Sequence, residues 1–282
     1  MLRLAVRVRR PESELVLAEL LELAPAGVEE VDVDAKTVEF AVYGMPGEIP
    51  ELPALRAAAS GALVEVTSTE VADDWAERWR EFHRPLILGD TLAVRPPWEP
   101  AAATRLDVVI DPGRAFGTGA HPTTRLCLEM LLELAPDSAE PRAGGPAVID
   151  LGCGSGVLGI TAALLGWGRV LALDNDPLSV EATTANASVN GVAELIDARQ
   201  FDLRSEPVPP AALVLGNLLA PLLRGWCATL GSGVGSVPGR LIASGLLVDE
   251  ADAISSAFAE LGLRERERRA RAGWTALLLV SN

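Results

Sequence analysis

Two short segments carry most of the chemistry legible in this chain of 282 residues. One is Val148-Ile-Asp-Leu-Gly-Cys-Gly-Ser-Gly156, an apolar run ending in a glycine-dense turn. Glycine is needed where backbone adopts positive φ or approaches a ligand closely. A helix starting near Ser155 would aim its amide ends at that ligand. Gly152 and Gly154 are therefore candidate contacts for a nucleotide-like cofactor. The second segment is Asp111-Pro-Gly-Arg-Ala-Phe-Gly-Thr-Gly-Ala-His-Pro-Thr-Thr124, a string of small, turn-forming and hydroxyl residues. Gly117-Thr-Gly119 forces a tight turn, and Thr123-Thr124 begins a helix placed to cap the ligand. His121 is a candidate base, or a hydrogen-bonding scaffold.

Two further positions extend the set. Val170-Leu-Ala-Leu-Asp174 is the next apolar run, and a carboxylate at the tip of a second strand can accept hydrogen bonds from both ribose hydroxyls of an adenosine ligand. Asp176, followed by Pro177, is suited to capping the helix that comes next. Ala212-Leu-Val-Leu-Gly-Asn217 ends in an amide at the same sheet edge, able to accept through oxygen and donate through nitrogen. Asn217 is thus a candidate for orienting a reacting amine, although asparagine also suits a turn or a cap. A literal G-x-G-x-x-G at Gly154, Gly156 and Gly159 raises a nicotinamide-dependent oxidoreductase as an alternative. Its register is poor, because the turn already begins at Gly152. No Ser-His-Asp set or paired carboxylates are recognisable, so the chemistry needs little acid–base machinery.

The elements that must position these residues follow from hydrophobic periodicity. From residue 105 onward, strands are expected at 106–110, 147–151, 169–174, 195–201, 211–216, 239–244 and 274–280. Helices are expected near 121–135, 157–166, 177–190, 219–230 and 248–261. This alternation implies an α/β domain with a mainly parallel sheet covered on both faces. Before it, residues 2–8 alternate as a half-buried strand and residues 11–23 read as a helix. Strands at 28–33, 37–42 and 62–67, with a short helix at 52–59, complete a β-α-β-β-α-β order, that of a small ferredoxin-like α+β domain. The expected organisation is therefore a domain at 1–70, a linker at 71–100 and a main domain at 101–282. The linker contains a polar helix with Trp75 and Trp79 on one face, then the stiff piece Arg95-Pro-Pro-Trp-Glu-Pro100.

Composition narrows the function classes. The 24 Lys and Arg against 39 Asp and Glu give a formal charge of -15, which argues against nucleic acid as the main partner. The sign is compatible with steering toward a basic protein. Three cysteines, Cys127, Cys153 and Cys227, and two histidines show no metal-like spacing, so no zinc site is expected and a reducing cytoplasm is the simplest compartment. The uncharged run 151–168 is rich in glycine and reads as a turn plus a buried helix, without a membrane span or signal peptide.

Taken together, these segments resemble the ribosomal protein L11 methyltransferase family, within the seven-strand-sheet, Rossmann-like methyltransferases that use S-adenosylmethionine. The resemblance rests on Asp73-Asp-Trp-Ala-Glu-Arg-Trp79, the string from Asp111 to Thr124, Asp150-Leu-Gly-Cys-Gly-Ser-Gly156, Leu173-Asp-Asn-Asp-Pro177 and Asn217-Leu-Leu-Ala220. It implies S-adenosylmethionine contacts from Thr124, Gly152, Asp174 and Asn217. It further implies methylation of lysine ε-amines and the α-amine of one large-subunit ribosomal protein, gripped by the N-terminal domain. One departure is Ala211-Ala-Leu-Val-Leu-Gly-Asn217, where family members often carry an Asp-rich lead. Phe116 and Leu218 are expected to line an apolar mouth that favours the neutral amine. The enzyme is expected to act as a monomer without direct nucleic-acid contact. Alternatives are another S-adenosylmethionine-dependent N-methyltransferase and a catalytically inactive ribosome-associated binding module.

Overall fold

The computed structural model describes residues 2–13, 16–17, 20, 28–34, 36–44, 60–70, 84–112, 121–134 and 147–281. The chain divides into two compact units, residues 1–82 and 83–282.

In the first unit, β1 (Leu2–Arg9), β2 (Glu29–Asp32), β3 (Thr37–Gly44) and β4 (Leu63–Glu70) form an antiparallel sheet of order β2-β3-β1-β4. That order belongs to a ferredoxin-like sandwich. Alternation in β1 buries Leu4, Val6 and Val8 against Val38 and Phe40 of β3, together with the helical Val16 and Leu20. Arg3 and Arg7 occupy the opposite face, where both reach Glu39, at 2.6 and 2.9 Å. These partly exposed pairs add little stability. A one-residue slip of β1 would nevertheless turn both arginines into the core, so the pattern fixes the register. The helix expected at 52–59 and the Trp75–Trp79 face lie outside the described residues.

The second unit opens with a three-stranded sheet of β5 (Leu86–Leu88), β6 (Leu92–Arg95) and β7 (Leu106–Val109). This corrects two expectations. Strand 106–109 does not join the large sheet, and the Pro-rich piece is a loop between β6 and β7, within this unit. Arg95 holds that loop: its guanidinium makes bonds of 2.7–3.0 Å to Asp107 and donates to the Glu99 carbonyl at 2.7 Å.

The large sheet contains β8 (Val148–Leu151), β9 (Val170–Asp174), β10 (Ile196–Gln200), β11 (Leu213–Asn217), β12 (Arg240–Leu247), β13 (Leu263–Arg271) and β14 (Trp274–Ser281). Their order is β10-β9-β8-β11-β12-β14-β13. The first five run parallel, and β14 and β13 pair antiparallel. The seventh strand is thus β13, which periodicity misses because Leu-Arg-Glu-Arg-Glu-Arg-Arg-Ala-Arg offers almost no apolar alternation. Edge strands rich in charge are protected from pairing with another chain.

Helices α1 (Pro122–Glu133), α2 (Val157–Leu164), α3 (Pro177–Val189), α4 (Ala220–Gly231) and α5 (Ala251–Glu260) cover the sheet. Leu126, Met130, Leu158 and Ile160 lie in one core cluster, while Leu223, Trp226, Ile254 and Phe258 lie in the other. Apolar burial of this kind, about 25 cal/mol per Å², is the main force seating helices on a sheet. The chain leaves β8 toward β9 on one side and later returns as β11 on the other. Ligands of such sheets bind beyond the carboxyl ends of the strands at this switch point. Among the described residues no helix is long and apolar enough to cross a membrane.

Candidate active site at the switch point

The glycine turn after β8 is built from residues that other side chains could not replace. Gly152, Gly154 and Gly156 have φ of +68°, +53° and +81°, the left-handed region that glycine alone enters without steric cost. The Gly152 and Cys153 amides both donate to the Leu173 carbonyl, at 2.8 and 3.1 Å. The turn is therefore anchored to β9 as it leaves β8. Thr183 of α3 supports it from below, its hydroxyl donating to the Gly154 carbonyl at 3.0 Å.

Asp174 ends β9 at half-buried exposure. Its Oδ2 accepts from the Gly154 amide at 2.9 Å and its Oδ1 from the Asp176 amide at 3.0 Å. A carboxylate has about four lone-pair sites, so each oxygen retains acceptor capacity for a hydroxyl. Asp176 caps α3, accepting from the Leu178 amide at 2.9 Å.

Asn217 ends β11 across the switch point from the glycine turn. Its Nδ2 donates to the Thr124 hydroxyl at 3.3 Å, bringing together two sequence candidates that lie 93 residues apart. Thr124 is 1% exposed, so it stands behind Asn217 as a fixed acceptor. With one N–H engaged by Thr124, the side chain retains its second N–H and its carbonyl oxygen.

His121 is the N-cap of α1: its Nδ1 lies 2.7 Å from the Thr123 hydroxyl and accepts weakly from the Thr123 amide at 3.3 Å. The ring packs edge-on to Trp274 with centroids 5.0 Å apart. Burial holds its pKa below the ordinary imidazole value, which suits a neutral ring accepting at Nδ1. These contacts anchor His121 at the start of α1. Phe116, the remaining candidate, lies outside the described residues.

Leu218 packs between the glycine turn and β12. A Cβ on Gly152 would stand 2.5 Å from Leu218 Cδ2, and one on Gly245 of β12 would stand 2.5 Å from the Leu218 carbonyl oxygen. Gly245 has φ of +84° and was not singled out from the sequence. Its signal is the small Ser244-Gly245 pair inside a strand, a pattern that marks a close backbone approach. Asn186 and Thr183, buried polar residues of a helix, were missed too. Cysteine chemistry is disfavoured, because burial pushes the Cys127 thiol up to about 12 and raises that of Cys153 as well.

The donor set fits S-adenosylmethionine. A half-buried carboxylate with acceptor capacity suited to a vicinal diol stands beside a left-handed glycine turn, with a carboxamide across the switch point. The dinucleotide pattern fits less well, because the left-handed turn begins at Gly152, directly after β8 and two residues before the pattern's first glycine, Gly154.

A sheet of this order, with a glycine turn after its first strand and an acid at the tip of its second, defines a Rossmann-like methyltransferase of the class that uses S-adenosylmethionine. Within that class, the chain belongs to the ribosomal protein L11 methyltransferase family. The family model described as Ribosomal protein L11 methyltransferase (PrmA) matches residues 20–282. The ribosomal protein L11 methyltransferase of Pelotomaculum thermopropionicum is 39% identical over 213 residues, covering 75% of this chain and 67% of the relative. That of Heliobacterium modesticaldum is 37% identical over 208 residues, covering 73% and 63%. The matched regions therefore span about two thirds of these relatives' length, slightly less in the second. The crystal structure of ribosomal protein L11 methylase from Lactobacillus delbrueckii subsp. bulgaricus superposes with a TM-score of 0.57 at 27% identity, covering 70% of this chain and 99% of that one.

Proposed function

We propose that this protein transfers methyl groups from S-adenosylmethionine to lysine ε-amines and the α-amine of ribosomal protein L11. In this reading it acts as a cytoplasmic monomer, with residues 1–70 gripping the protein substrate. The observation that carries the reading is the Asn217–Thr124 bond beside the glycine turn and Asp174, in a chain of this family. When bound, S-adenosylmethionine supplies an electrophilic methyl on a sulfonium, attacked in line by a neutral amine as the sulfur–carbon bond breaks.

The chain's own residues supply positioning, which accounts for most of the catalysis such a displacement needs. Asp174 holds the ribose through its remaining lone pairs, and Gly152 and Gly154 let the backbone approach. Asn217, its nitrogen fixed by Thr124, presents its carbonyl oxygen to an amine N–H and aligns the nitrogen lone pair. Leu218 and Phe116 furnish the apolar mouth, and the amine's proton leaves to water. Neutralising a lysine with an ordinary pKa near 10.4 costs about 4–5 kcal/mol at neutral pH, against about 1 kcal/mol for an α-amine. Desolvation at the mouth offsets part of this cost.

The test is transfer of labelled methyl to purified ribosomal protein L11, read by mass spectrometry of the product. The protein's single lysine, Lys36, limits self-labelling at lysine side chains. Asn217→Ala should lower kcat by about ten- to a thousandfold, the scale of losing one positioned polar group. Its affinity for S-adenosylhomocysteine should stay within about threefold of the parent, under a factor-of-ten step of 1.4 kcal/mol. Unchanged turnover would remove Asn217 from the site, and no label on the ribosomal protein would favour the inactive binding module.

A further inference from the structure

Helix α3 and its C-cap carry two asparagines one turn apart, Asn186 and Asn190, that the reaction as described does not use. Asn186 is 3% exposed. Its Nδ2 donates to the Ser155 carbonyl at 2.9 Å, inside the glycine turn. Its Oδ1 accepts from the Asp111 amide at 3.0 Å, where the string from Asp111 to Thr124 begins. One side chain thus bonds both chemical segments of the protein. Asn190 repeats the device on β7: its Oδ1 accepts from the Val109 amide at 2.8 Å and its Nδ2 donates to the Val109 carbonyl at 2.7 Å. Its amide takes the part of a neighbouring strand.

We propose that Asn186 is a positioning residue that holds the glycine turn and the Asp111 end of the string at one fixed spacing, with Asn190 bracing it. Asparagine is a poor choice inside a helix, because its side chain competes for backbone partners. Asn186 stands there against that preference, and Asn190, the C-cap of α3, turns onto the same segment, so the pair answers a tertiary demand. An apolar residue at 186 would withdraw its side-chain partner from the buried Ser155 carbonyl and from the Asp111 amide, and a lost bond to a buried polar group costs about 1–3 kcal/mol. The same helix is seated at its start by Asp176, whose amide bonds Asp174. The ribose acid, the glycine turn and the entry to the string are therefore tied to one rigid element. The string's other end is fixed by the His121 cap and by Thr124 beneath Asn217. The inference rests on the methyl-transfer reading, in which a misplacement of about 1 Å costs about a hundredfold in rate.

The test compares wild type with Asn186→Ala and Asn190→Ala. Two readouts are used: amide exchange at Asp111 and Val109 with and without S-adenosylhomocysteine, and steady-state methyl transfer well below each Tm. In wild type, S-adenosylhomocysteine should slow Asp111 exchange by about threefold or more, a coupling within the range for linked sites. In Asn186→Ala that slowing should vanish. Affinity for S-adenosylhomocysteine should stay within about threefold of the parent, while kcat falls by about ten- to a hundredfold with little change in KM. A protein that is only less stable would show faster exchange throughout and would keep the coupling. Equal slowing of Asp111 in both proteins, or a kcat within about twofold of wild type, would overturn the proposal. Should Asn186→Ala fail to fold, Asn190→Ala carries the test: a weaker Asp111 response with a lower kcat supports the brace, and unchanged values of both overturn it. If wild type transfers no methyl to the ribosomal protein, the functional reading fails, while the exchange comparison still decides the clamp.

Discussion

Asp150 and Asp174 stand near the ends of adjacent parallel strands, β8 and β9, two residues of one kind in very different settings. Asp174 is half-buried, and both of its oxygens accept from main-chain amides while keeping lone pairs for more. Asp150 is 1% exposed; its Oδ2 accepts from the Gly159 amide at 2.8 Å, and its Oδ1 has no partner among the described residues. Burial pushes the Asp150 carboxyl up to about 7, with the Gly159 amide working against the shift and the charge of Asp174 adding to it. The difference separates the carboxylate proposed to face the ligand from one that seats a helix. A Cβ on Gly159 would meet Asp150 Oδ2 at 3.0 Å and Val170 at 3.1 Å. That glycine completes the apparent dinucleotide pattern for reasons of packing between α2 and the sheet.

The contrast breaks most directly at Asp174. Asp174→Ala should weaken S-adenosylhomocysteine binding by about a hundredfold, the equivalent of about 2.7 kcal/mol for two charge-assisted hydrogen bonds. Part of that loss arises from freeing the Gly154 and Asp176 amides. Calorimetric titration measures it. An affinity within about threefold of wild type would mean that Asp174 is as structural as Asp150, and the distinction would collapse.

A different response is expected at Asp150, visible in stability against pH. The folded protein retains this proton up to about pH 7, whereas the ordinary carboxyl releases it near 3.8. The contribution is thus fully present below the unfolded value and is lost as pH rises through the folded one. Asp150→Asn keeps a carbonyl acceptor for the Gly159 amide and removes the titration. The variant should therefore gain on wild type across this window, by on the order of 2–4 kcal/mol at pH 8, in urea denaturation at a series of pH values. A stability difference independent of pH would show that Asp150 does not change its protonation there. Binding of S-adenosylhomocysteine should be nearly unchanged, in contrast to Asp174→Ala.

What the chain reveals without a structure follows the same division. The glycine turn, Asp174 and the Asp176 cap are legible because their partners are near in sequence or belong to one strand–turn–helix unit. The alternation of apolar runs also gives the main order of strands and helices from residue 147 onward, apart from β13, and the ferredoxin-like order of the first four strands. The direction of the Asn217 amide is not legible, because it is set by Thr124 across 93 residues. Nor are Asn186 and Asn190, whose bonds to Asp111 and Val109 span 75 and 81 residues. Strand β13 is hidden by its charge, and β7 is misassigned because an apolar run shows that a strand exists but not which sheet receives it. Local geometry is written in residue types, while long-range pairing is written only in which polar groups are left without a near partner.

The smallest expected effect gives the finest discrimination, since it lies two residues from Asp174. Asp176 turns its carboxylate to the Leu178 amide and only its backbone toward Asp174. Asp176→Ala removes the cap and should cost about 1 kcal/mol of stability, measured by urea denaturation. The backbone amide of residue 176 remains, so Asp174 keeps its anchor and S-adenosylhomocysteine affinity should stay within about threefold of wild type. A loss beyond tenfold at Asp176 would place the adenosine site on both carboxylates after β9. Assigning the ligand-facing role to Asp174 alone requires a weaker cap with an intact affinity, because only then is the orientation of the side chain, and not its closeness to the turn, what separates the two.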